Sequence, residues 1–400
     1  MTSWLAALAL PMGPVTVRLA SVDLTPPEAL PLGGLTERRS ALFEPGGIPL
    51  LARTLLFQRG TTRIALVSVE TLTIPESLQR EVQSRVGSGI TVWLAASHTH
   101  SAPDSQLLNE RMTLAIPGIA TFRRRWLEWT SERIAQGVRG AAAQSPITIA
   151  ALSVRRREVD LNRGRRRGAL PDRDLVWVSA PAWRGFGVYA AHPTVLPAAW
   201  RKLDGDWIGR AMAVARAPIF VGSIGDVGPI TDGTVEERMG LYAEAFAETM
   251  QVRSGRVESP LPFAIAQAPI SLDPVQPHPT FSRGFGIPDA LAPSVVAKFA
   301  PTTGEIVVLR FGKLALVGVP GEPTAALGRR IALLGRGLGF EEVLVLSHVG
   351  GWIGYILEPE DYDRGGYESQ LAFHGRYASE RVFDAARRAL VQVRDAKPGR

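Results

Sequence analysis

The residues of this chain most able to do metal chemistry are histidines, and three of them follow apolar runs that predict strands. His98 and His100 come just after one such run, and His192 comes after another. Side chains at positions i and i+2 of an extended chain lie on one face, so His98 and His100 can face the same site. Glu322 follows a third apolar run in the same way.

Imidazole and carboxylate groups in this number are typical donors of catalytic zinc, which keeps one position for water. The chain has no cysteine, which excludes disulfides, thiolate nucleophiles and cysteine-based zinc sites. The pattern alone leaves two interpretations open: a zinc site, or histidines that are only hydrogen-bonded structural groups. Outside these motifs, His348 and His374 are interpreted as structural residues near the pocket, and His278 as a solvated loop residue.

The elements that must position these side chains alternate between strands and helices. Short apolar runs predict strands at residues 64–69, 90–96, 147–154, 187–191, 219–224, 306–311, 314–319 and 343–346. Helical periodicity predicts helices at Phe122–Ala142 and Tyr377–Val393, and Gly312-Lys313 predicts a hairpin. The predicted fold class is α/β, with mixed β-sheets flanked by helices. Such sheets bind ligands at the carboxyl ends of their strands, so the donors are expected to meet there.

Composition predicts one ordinary globular domain over residues 1–400. Hydrophobic residues make up 46% and charged residues 21%, and no repeat or linker divides the chain. Residues 1–14 are predicted to be a frayed N-terminus, and residues 268–301, rich in proline, an irregular excursion that is either a lid or a covering loop. The apolar run at residues 4–12 is short and lacks a preceding basic residue, which favours a cytoplasmic location over a periplasmic or secreted one.

The chain is basic, with a formal net charge of +7, but the pattern of its charges does not indicate nucleic acid. The dense arginine run at residues 155–167 lacks interleaved aromatic residues and matches no nucleic-acid-binding module. We interpret it as solvated surface, which leaves a peripheral contact with an anionic membrane open.

Seven short segments follow one another in a distinctive order: residues 21–27 (SVDLTPP), 97–103 (SHTHSAP), 161–163 (LNR), 192–194 (HPT), 225–229 (GDVGP), 320–322 (PGE) and the tyrosine-rich residues 354–368. Each is weak evidence alone. Together and in this order they resemble the motifs of the neutral/alkaline (non-lysosomal) ceramidase family.

This resemblance implies a ceramidase-like catalytic domain that uses Zn²⁺ and zinc-activated water to cleave an N-acyl carboxamide bond. It implies four zinc ligands, which are His98, His192, Glu322 and Tyr355. It also implies three catalytic residues that face the scissile amide or the product carboxylate, which are His100, Arg163 and Tyr367.

The sequence departs from the family in two places. Gly228 stands where the family carries a serine, so a role for that hydroxyl as nucleophile or substrate contact is missing. The chain ends soon after the predicted helix at Tyr377–Val393, which predicts a catalytic domain without the family's C-terminal β-domain.

Three functions therefore stay open at this stage. The first is a zinc amidase for an N-acylated lipid, and the second is the same chemistry on a soluble peptide or small-molecule amide. The third is a binding protein that retains the fold without catalysis. An apolar tunnel would indicate the first, and a shallow arginine-lined pocket would indicate the second.

Overall fold

The computed structural model describes residues 13–253 and 255–396. Most of the predicted frayed N-terminus, residues 1–12, lies outside this part of the chain. The strands in chain order are β1 (Val15–Asp23), β2 (Leu51–Arg59), β3 (Thr62–Val69), β4 (Thr91–Ala96), β5 (Ile147–Ile149), β6 (Leu152–Glu158), β7 (Asn162–Gly164), β8 (Asp174–Ala180), β9 (Trp183–Tyr189), β10 (Ile219–Val221), β11 (Val227–Pro229), β12 (Arg256–Glu258), β13 (Phe263–Pro269), β14 (Glu305–Phe311), β15 (Leu314–Gly318), β16 (Glu322–Pro323), β17 (Glu342–Leu346) and β18 (Tyr355–Ile356).

The helices are α1 (Glu76–Val86), α2 (Arg124–Ala142), α3 (Asp206–Ala215), α4 (Val235–Gln251), α5 (Thr280–Phe285), α6 (Ala292–Val296), α7 (Ala325–Gly337), α8 (Pro359–Arg364), α9 (Tyr367–Gln370) and α10 (Ala378–Asp395). Within the described residues, none of them is both long enough and apolar enough to cross a membrane.

Three larger sheets form the framework, with strand orders β4-β3-β2-β1-β5, β10-β9-β8-β6-β12 and β13-β14-β15-β17. Each sheet contains antiparallel pairs and one parallel pair, which are β3–β4, β9–β10 and β15–β17. Two short pairs, β7–β11 and β16–β18, complete the strand pairing. The predicted mixed α/β fold is confirmed.

The three sheets share one apolar core, and helices cover their outer faces. In β3, Ile64 and Leu66 face the shared core, while Ala65 and Val67 face α1 and α2. The same alternation in β8 and β15 directs their outer residues towards α3 and α4 or towards α7 and α10. A strand that is buried on both faces has no polar face, which explains why these strands are continuous apolar runs in the sequence.

The predicted strand at residues 147–154 is wrong as a single element. The chain leaves β5 of the first sheet at Ile149 and enters β6 of the second at Leu152, so the run crosses between sheets. The other seven predicted runs each overlap a strand, and the hairpin at Gly312-Lys313 joins β14 to β15. The segment at residues 268–301 contains the short helices α5 and α6, whose buried residues pack against Phe373.

Candidate metal centre

One end of a strand from each sheet brings a donor to a common point. His98 follows β4, His192 follows β9, and Glu322 begins β16 shortly after β15. We call these three residues the donor cluster. The Oε2 atom of Glu322 lies 3.2 Å from Nε2 of His192 and 3.6 Å from Nε2 of His98. All three side chains are buried, with relative exposures of 3%, 1% and 1%.

The hydrogen bonds of the two imidazoles fix which nitrogen carries the proton. Nδ1 of His98 lies 2.7 Å from the carbonyl oxygen of Leu72, and Nδ1 of His192 lies 3.1 Å from that of Val227. A carbonyl oxygen can only accept, so each Nδ1 donates and each neutral ring presents an unprotonated Nε2. Such carbonyl partners are also the usual outer-shell support of metal-binding histidines.

The two imidazoles and the carboxylate of the donor cluster therefore direct atoms without a proton towards one another. Each of these atoms can accept a hydrogen bond, and none can donate one. Among the described residues, none donates a hydrogen bond to Oε2 of Glu322, while Oε1 accepts a bond of 2.9 Å from the indole of Trp352. Burial lowers the pKa of His98 and lowers that of His192 to about 4, which favours the neutral rings. Buried acceptors that face one another without a proton are costly, and a cation bound between them removes that cost. The residues fit a metal ion.

Tyr355 lies next to the donor cluster because β18 pairs in register with β16, with Tyr355 opposite Glu322. Its hydroxyl oxygen is 3.5 Å from Nε2 of His192 and accepts a bond of 3.4 Å from Arg165. Burial, followed by the Glu322 carboxylate, raises the pKa of Tyr355 well above its usual value.

His100 lies beside the donor cluster, with its Nε2 3.4 Å from Nε2 of His98. The ring packs on the backbone of Gly34, where an added Cβ would lie 2.8 Å from the ring carbon Cγ. Burial lowers the pKa of His100 well below its usual value. His98, His100 and His192 together offer three ring nitrogens within 4.8 Å of one another, so His100 is close enough to be either a neighbour or a donor.

The other two predicted catalytic residues lie farther out. Arg163 is exposed on β7 opposite Gly228 of β11, and its guanidinium carbon is 3.6 Å from the position a Cβ at residue 228 would take. Tyr367 is 53% exposed, and its ring centroid is 6.0 Å from that of Tyr355. Neither Arg163 nor Tyr367 was predicted to be a metal ligand, and their positions outside the donor cluster agree with that.

Sequence reasoning missed two arginines that the structure brings to this region. Arg165 donates to the hydroxyl of Tyr355 and to the carbonyl of Gly225, and it lies 3.1 Å from the carboxylate of Glu368. Arg166 pairs with the same carboxylate at 2.9 Å. The interpretation of the whole run at residues 155–167 as solvated surface is therefore wrong for these two residues. We call Arg163, Arg165, Arg166, Gly228 and Glu368 the arginine rim.

Two buried polar residues that were also missed fix the loops behind the donors. The carboxylate of Asp206 accepts from the backbone N–H groups of Val195, Leu196 and Trp207, which anchors the loop after His192. The guanidinium of Arg38 donates to the carbonyls of His100 and Ala198, which ties the two histidine loops together. Neither residue carries a motif, so only the fold shows their part in the site.

The remaining histidines are all buried. His374 places Nδ1 3.0 Å from the carbonyl of Asp273, away from the donors, as expected of a structural residue. The interpretation of His278 as solvated is wrong, because it is buried, shares its Nδ1 with Thr280 and packs edge-on against Tyr362. His348 stacks on His98, with ring centroids 4.1 Å apart.

A cavity of about 460 Å³ lies elsewhere, between α7 and the second and third sheets. Its lining includes Arg156, Arg329 and Arg336 but none of the seven residues predicted for the site. An arginine-lined cavity at that place does not distinguish a soluble substrate from a lipid.

The structure resembles solved ceramidases over nearly its whole length. The crystal structure of neutral ceramidase from Pseudomonas aeruginosa superposes with a TM-score of 0.77, covering 96% of this chain and 75% of that one at 16% identity. The chain has the neutral ceramidase fold. A ceramidase complexed with C2 gives the same TM-score at 17% identity and covers 97% of this chain and 76% of that one.

The sequence comparison points the same way over a shorter stretch. The neutral ceramidase of Mycobacterium tuberculosis (strain ATCC 25618 / H37Rv) is 28% identical over 140 residues, which span 34% of this chain and 20% of that protein. No family model matches the sequence. The resemblance to neutral ceramidases that the seven segments indicate is confirmed.

Proposed function

We propose that this protein is a zinc-dependent amidohydrolase that cleaves an N-acyl carboxamide, with His98, His192 and Glu322 as the core metal ligands. The observation that carries the proposal is the convergence of three buried atoms, Nε2 of His98, Nε2 of His192 and Oε2 of Glu322, in a ceramidase fold. The motif resemblance adds Tyr355 as a fourth ligand.

A zinc ion bound there would lower the pKa of a bound water towards ~7 and polarise the scissile carbonyl. His98 and His192 would hold it through Nε2, because their Nδ1 atoms donate to carbonyls. Glu322 would bind through Oε2 and keep its orientation through the indole of Trp352, which donates to Oε1.

His100 moves the proton in this proposal. Its low pKa keeps the ring neutral, so it can accept a proton from the attacking water and pass it to the leaving amine. Packing against Gly34 and the bond from Arg38 to its carbonyl hold the ring beside the donor cluster. Because the pKa of His100 is low, the imidazolium that forms readily gives its proton to the leaving amine.

Arg163 and Tyr367 bind the substrate carbonyl or the product carboxylate in this proposal, because each can donate hydrogen bonds to a developing negative charge. Their exposed positions suit groups that meet a substrate arriving from solvent. Arg165 is already committed to Tyr355 and Glu368, so its part is to orient these side chains.

Because residue 228 is a glycine, a catalytic route that uses a serine hydroxyl at this position is not available to this chain. A Cβ at this position would lie 3.3 and 3.4 Å from two carbons of Arg165, so the arginine side chain occupies the space beside it. We therefore propose direct attack by water without an acyl-enzyme on this loop.

We propose an N-acyl lipid amide, such as a ceramide or a related long-chain amide, as the substrate class. The support is the ceramidase name of the sequence relative and of the solved structures. Acyl-chain recognition is the property that separates this class from a soluble peptide or small-molecule amide.

The test is a set of N-acyl amides with varied acyl length and head group, assayed with chelator-stripped protein and with the same protein after zinc is restored. We expect hydrolysis only after zinc is restored, with kcat/KM rising with acyl length. A rate that is independent of acyl length would instead indicate a soluble amide. Fully metal-loaded protein that cleaves no amide would contradict the proposal and favour a binding protein.

A further inference from the structure

An uncharged loop before α2 takes no part in the proposed chemistry, yet it exposes apolar side chains. We call residues 112–122 (MTLAIPGIATF) the apolar loop. The residues around its tip are apolar, with Leu114, Ala115 and Pro117 exposed and Ile116 and Ile119 half-buried. Single exposed apolar side chains are common on protein surfaces, whereas several on one short loop indicate a contact site.

Hydrogen bonds hold the base of the apolar loop in place. The N–H of Phe122 donates to the carbonyl of Met112 at 2.8 Å and closes the loop. The buried carboxylate of Asp104 accepts a bond of 2.8 Å from the N–H of Ala120. The tip is therefore presented to solvent from a fixed base.

The turn of the apolar loop packs on the segment that supports His100. Pro117 and Gly118 occupy its centre, and the φ of 82° at Gly118 is that of the second central position of a type II turn. A Cβ at Gly118 would lie 3.0 Å from the carbonyl oxygen of Thr36, so the two backbones are in contact. Thr36 begins a short 3-10 turn that ends at Arg38, whose guanidinium donates to the carbonyl of His100. One segment of chain thus connects the apolar loop to His100.

A second exposed apolar side chain belongs to that connecting segment. Leu42 is 54% exposed and lies between β1 and β2, in the same connection as Thr36. The N–H of Ala41 donates to the carbonyl of Arg38 at 2.9 Å, which keeps Leu42 next to the 3-10 turn. Two neighbouring segments that lead to His100 therefore both expose apolar side chains.

Arginines flank the apolar loop in the sequence, with Arg111 before it and Arg123, Arg124 and Arg125 after it. Three of them form ion pairs, which join Arg111 to Glu76, Arg124 to Glu110 and Arg125 to Glu28. An uncharged apolar tip between cationic flanks suits a lipid surface, because apolar side chains can reach the acyl chains while guanidinium groups stay with the head groups. Since most of these arginines are already paired, the apolar tip supplies most of the attraction.

Resting on the lipid amide proposed above as the substrate, we propose that the apolar loop docks the protein on a lipid surface. Leu114, Ala115 and Pro117 enter the acyl region, and the flanking arginines contact the head groups. Docking through this loop brings His100 and the donor cluster close to the layer in which an N-acyl lipid amide resides.

The test measures sedimentation of the full chain with phosphatidylcholine vesicles, with and without phosphatidylserine. We expect binding to both that persists in about 1 M salt, because salt screens only the contribution of the arginines. Leu114→Asp should weaken binding about 10-fold or more, since it puts a charge where an apolar side chain leaves water. Leu333→Asp, at an exposed leucine of α7, is the matched control and should bind as the wild type does.

Because the chain has no cysteine, Leu114→Cys offers one site for an environment-sensitive fluorophore. Its emission should shift to the blue on addition of vesicles, whereas the same label on Leu333→Cys should not respond. Wild-type protein that binds no vesicles, or Leu114→Asp that binds them as tightly as the wild type, would overturn the proposal. A dimer that Leu114→Asp dissociates, in protein that binds no vesicles, would assign the loop to a second copy of the chain instead.

Activity on two substrates separates this inference from the proposed function. Leu114→Asp should lower kcat/KM about 10-fold for a long-chain N-acyl amide in vesicles and leave it unchanged for a short-chain amide in solution. Vesicle binding by metal-loaded protein that cleaves neither amide would overturn the proposed function and leave the docking surface standing. Amide cleavage by protein that binds no vesicles would overturn the docking surface alone.

Discussion

The donor cluster and the arginine rim lie side by side but are held in place differently. The donor cluster stands at the strand ends of three sheets, and backbone carbonyls orient both of its imidazoles. The rim is held by side-chain ion pairs of Arg165 and Arg166 with the shared carboxylate of Glu368. The difference teaches that the fold itself brings the donor cluster together, whereas individual side chains build its surroundings.

This difference sets the expected size of each effect. Removing a buried donor leaves its partners uncompensated in a dry environment, which is strongly unfavourable. A smaller effect is expected at the rim, because Arg163 is exposed, and removal of Arg165 leaves the buried carboxylate of Glu368 paired with Arg166. Metal binding should therefore be lost outright at the donor cluster, whereas the reaction rate should change gradually at the rim.

The largest effect is expected for His192→Ala. Fewer than three strong donors rarely retain zinc, so metal and activity should be lost together, with activity falling roughly 10³-fold or more. Elemental analysis and an amidase assay on the same preparation measure both quantities. His374→Ala is the control. Full metal occupancy in His192→Ala would contradict the assignment of His192 as a metal ligand.

His100→Ala should separate catalysis from metal binding. We expect the variant to keep its metal while kcat falls roughly 10²-fold, the scale of a lost proton-transfer group. The metal content decides the interpretation. If this variant loses its metal, His100 is a ligand and its role and that of a neighbouring histidine have been exchanged.

The strand-end residues were accessible to sequence reasoning for a physical reason. β4, β9 and β15 are buried apolar runs, and each donor follows its strand within a few residues, so strand prediction already places His98, His192 and Glu322 at strand ends. The structure brings these residues together, while their roles as ligands stay a prediction.

The surroundings of the site were not accessible in this way. Arg165 and Arg166 sit in a run of similar residues, and contacts with distant residues such as Glu368 distinguish them from the exposed Arg167. His348 carries no motif, and its proximity to His98 depends on the pairing of β17 within another sheet. Contacts between residues far apart in the chain cannot be read from local periodicity.

The arginine rim should respond to substitution with moderate changes in rate. Arg163→Ala should lower kcat/KM about 10-fold through a lost hydrogen bond to developing charge, with metal content unchanged. Arg165→Ala should have a similar effect by releasing Tyr355, and the exposed Arg167→Ala should have none. Steady-state kinetics with parallel metal analysis measure these effects. Loss of metal from Arg163→Ala or Arg165→Ala would show that the arginine rim contributes to metal binding and would contradict its distinction from the donor cluster.

The smallest effect is expected at Gly228. Gly228→Ser should change kcat by less than about 3-fold, because direct attack by water needs no hydroxyl on this loop. Neither protein should release a rapid burst of amine product, since no covalent species accumulates before a slow second step. Stopped-flow kinetics and mass spectrometry of acid-quenched enzyme test both statements, and a trapped acyl adduct would show that the mechanism is wrong.

The most direct test of the central claim is anomalous X-ray diffraction from zinc-loaded crystals, with data collected on both sides of the zinc absorption edge. The account predicts one strong peak per chain, bonded to Nε2 of His98, Nε2 of His192 and Oε2 of Glu322. A zinc-loaded crystal with no peak among these three atoms, or with its peak at another site, would contradict it.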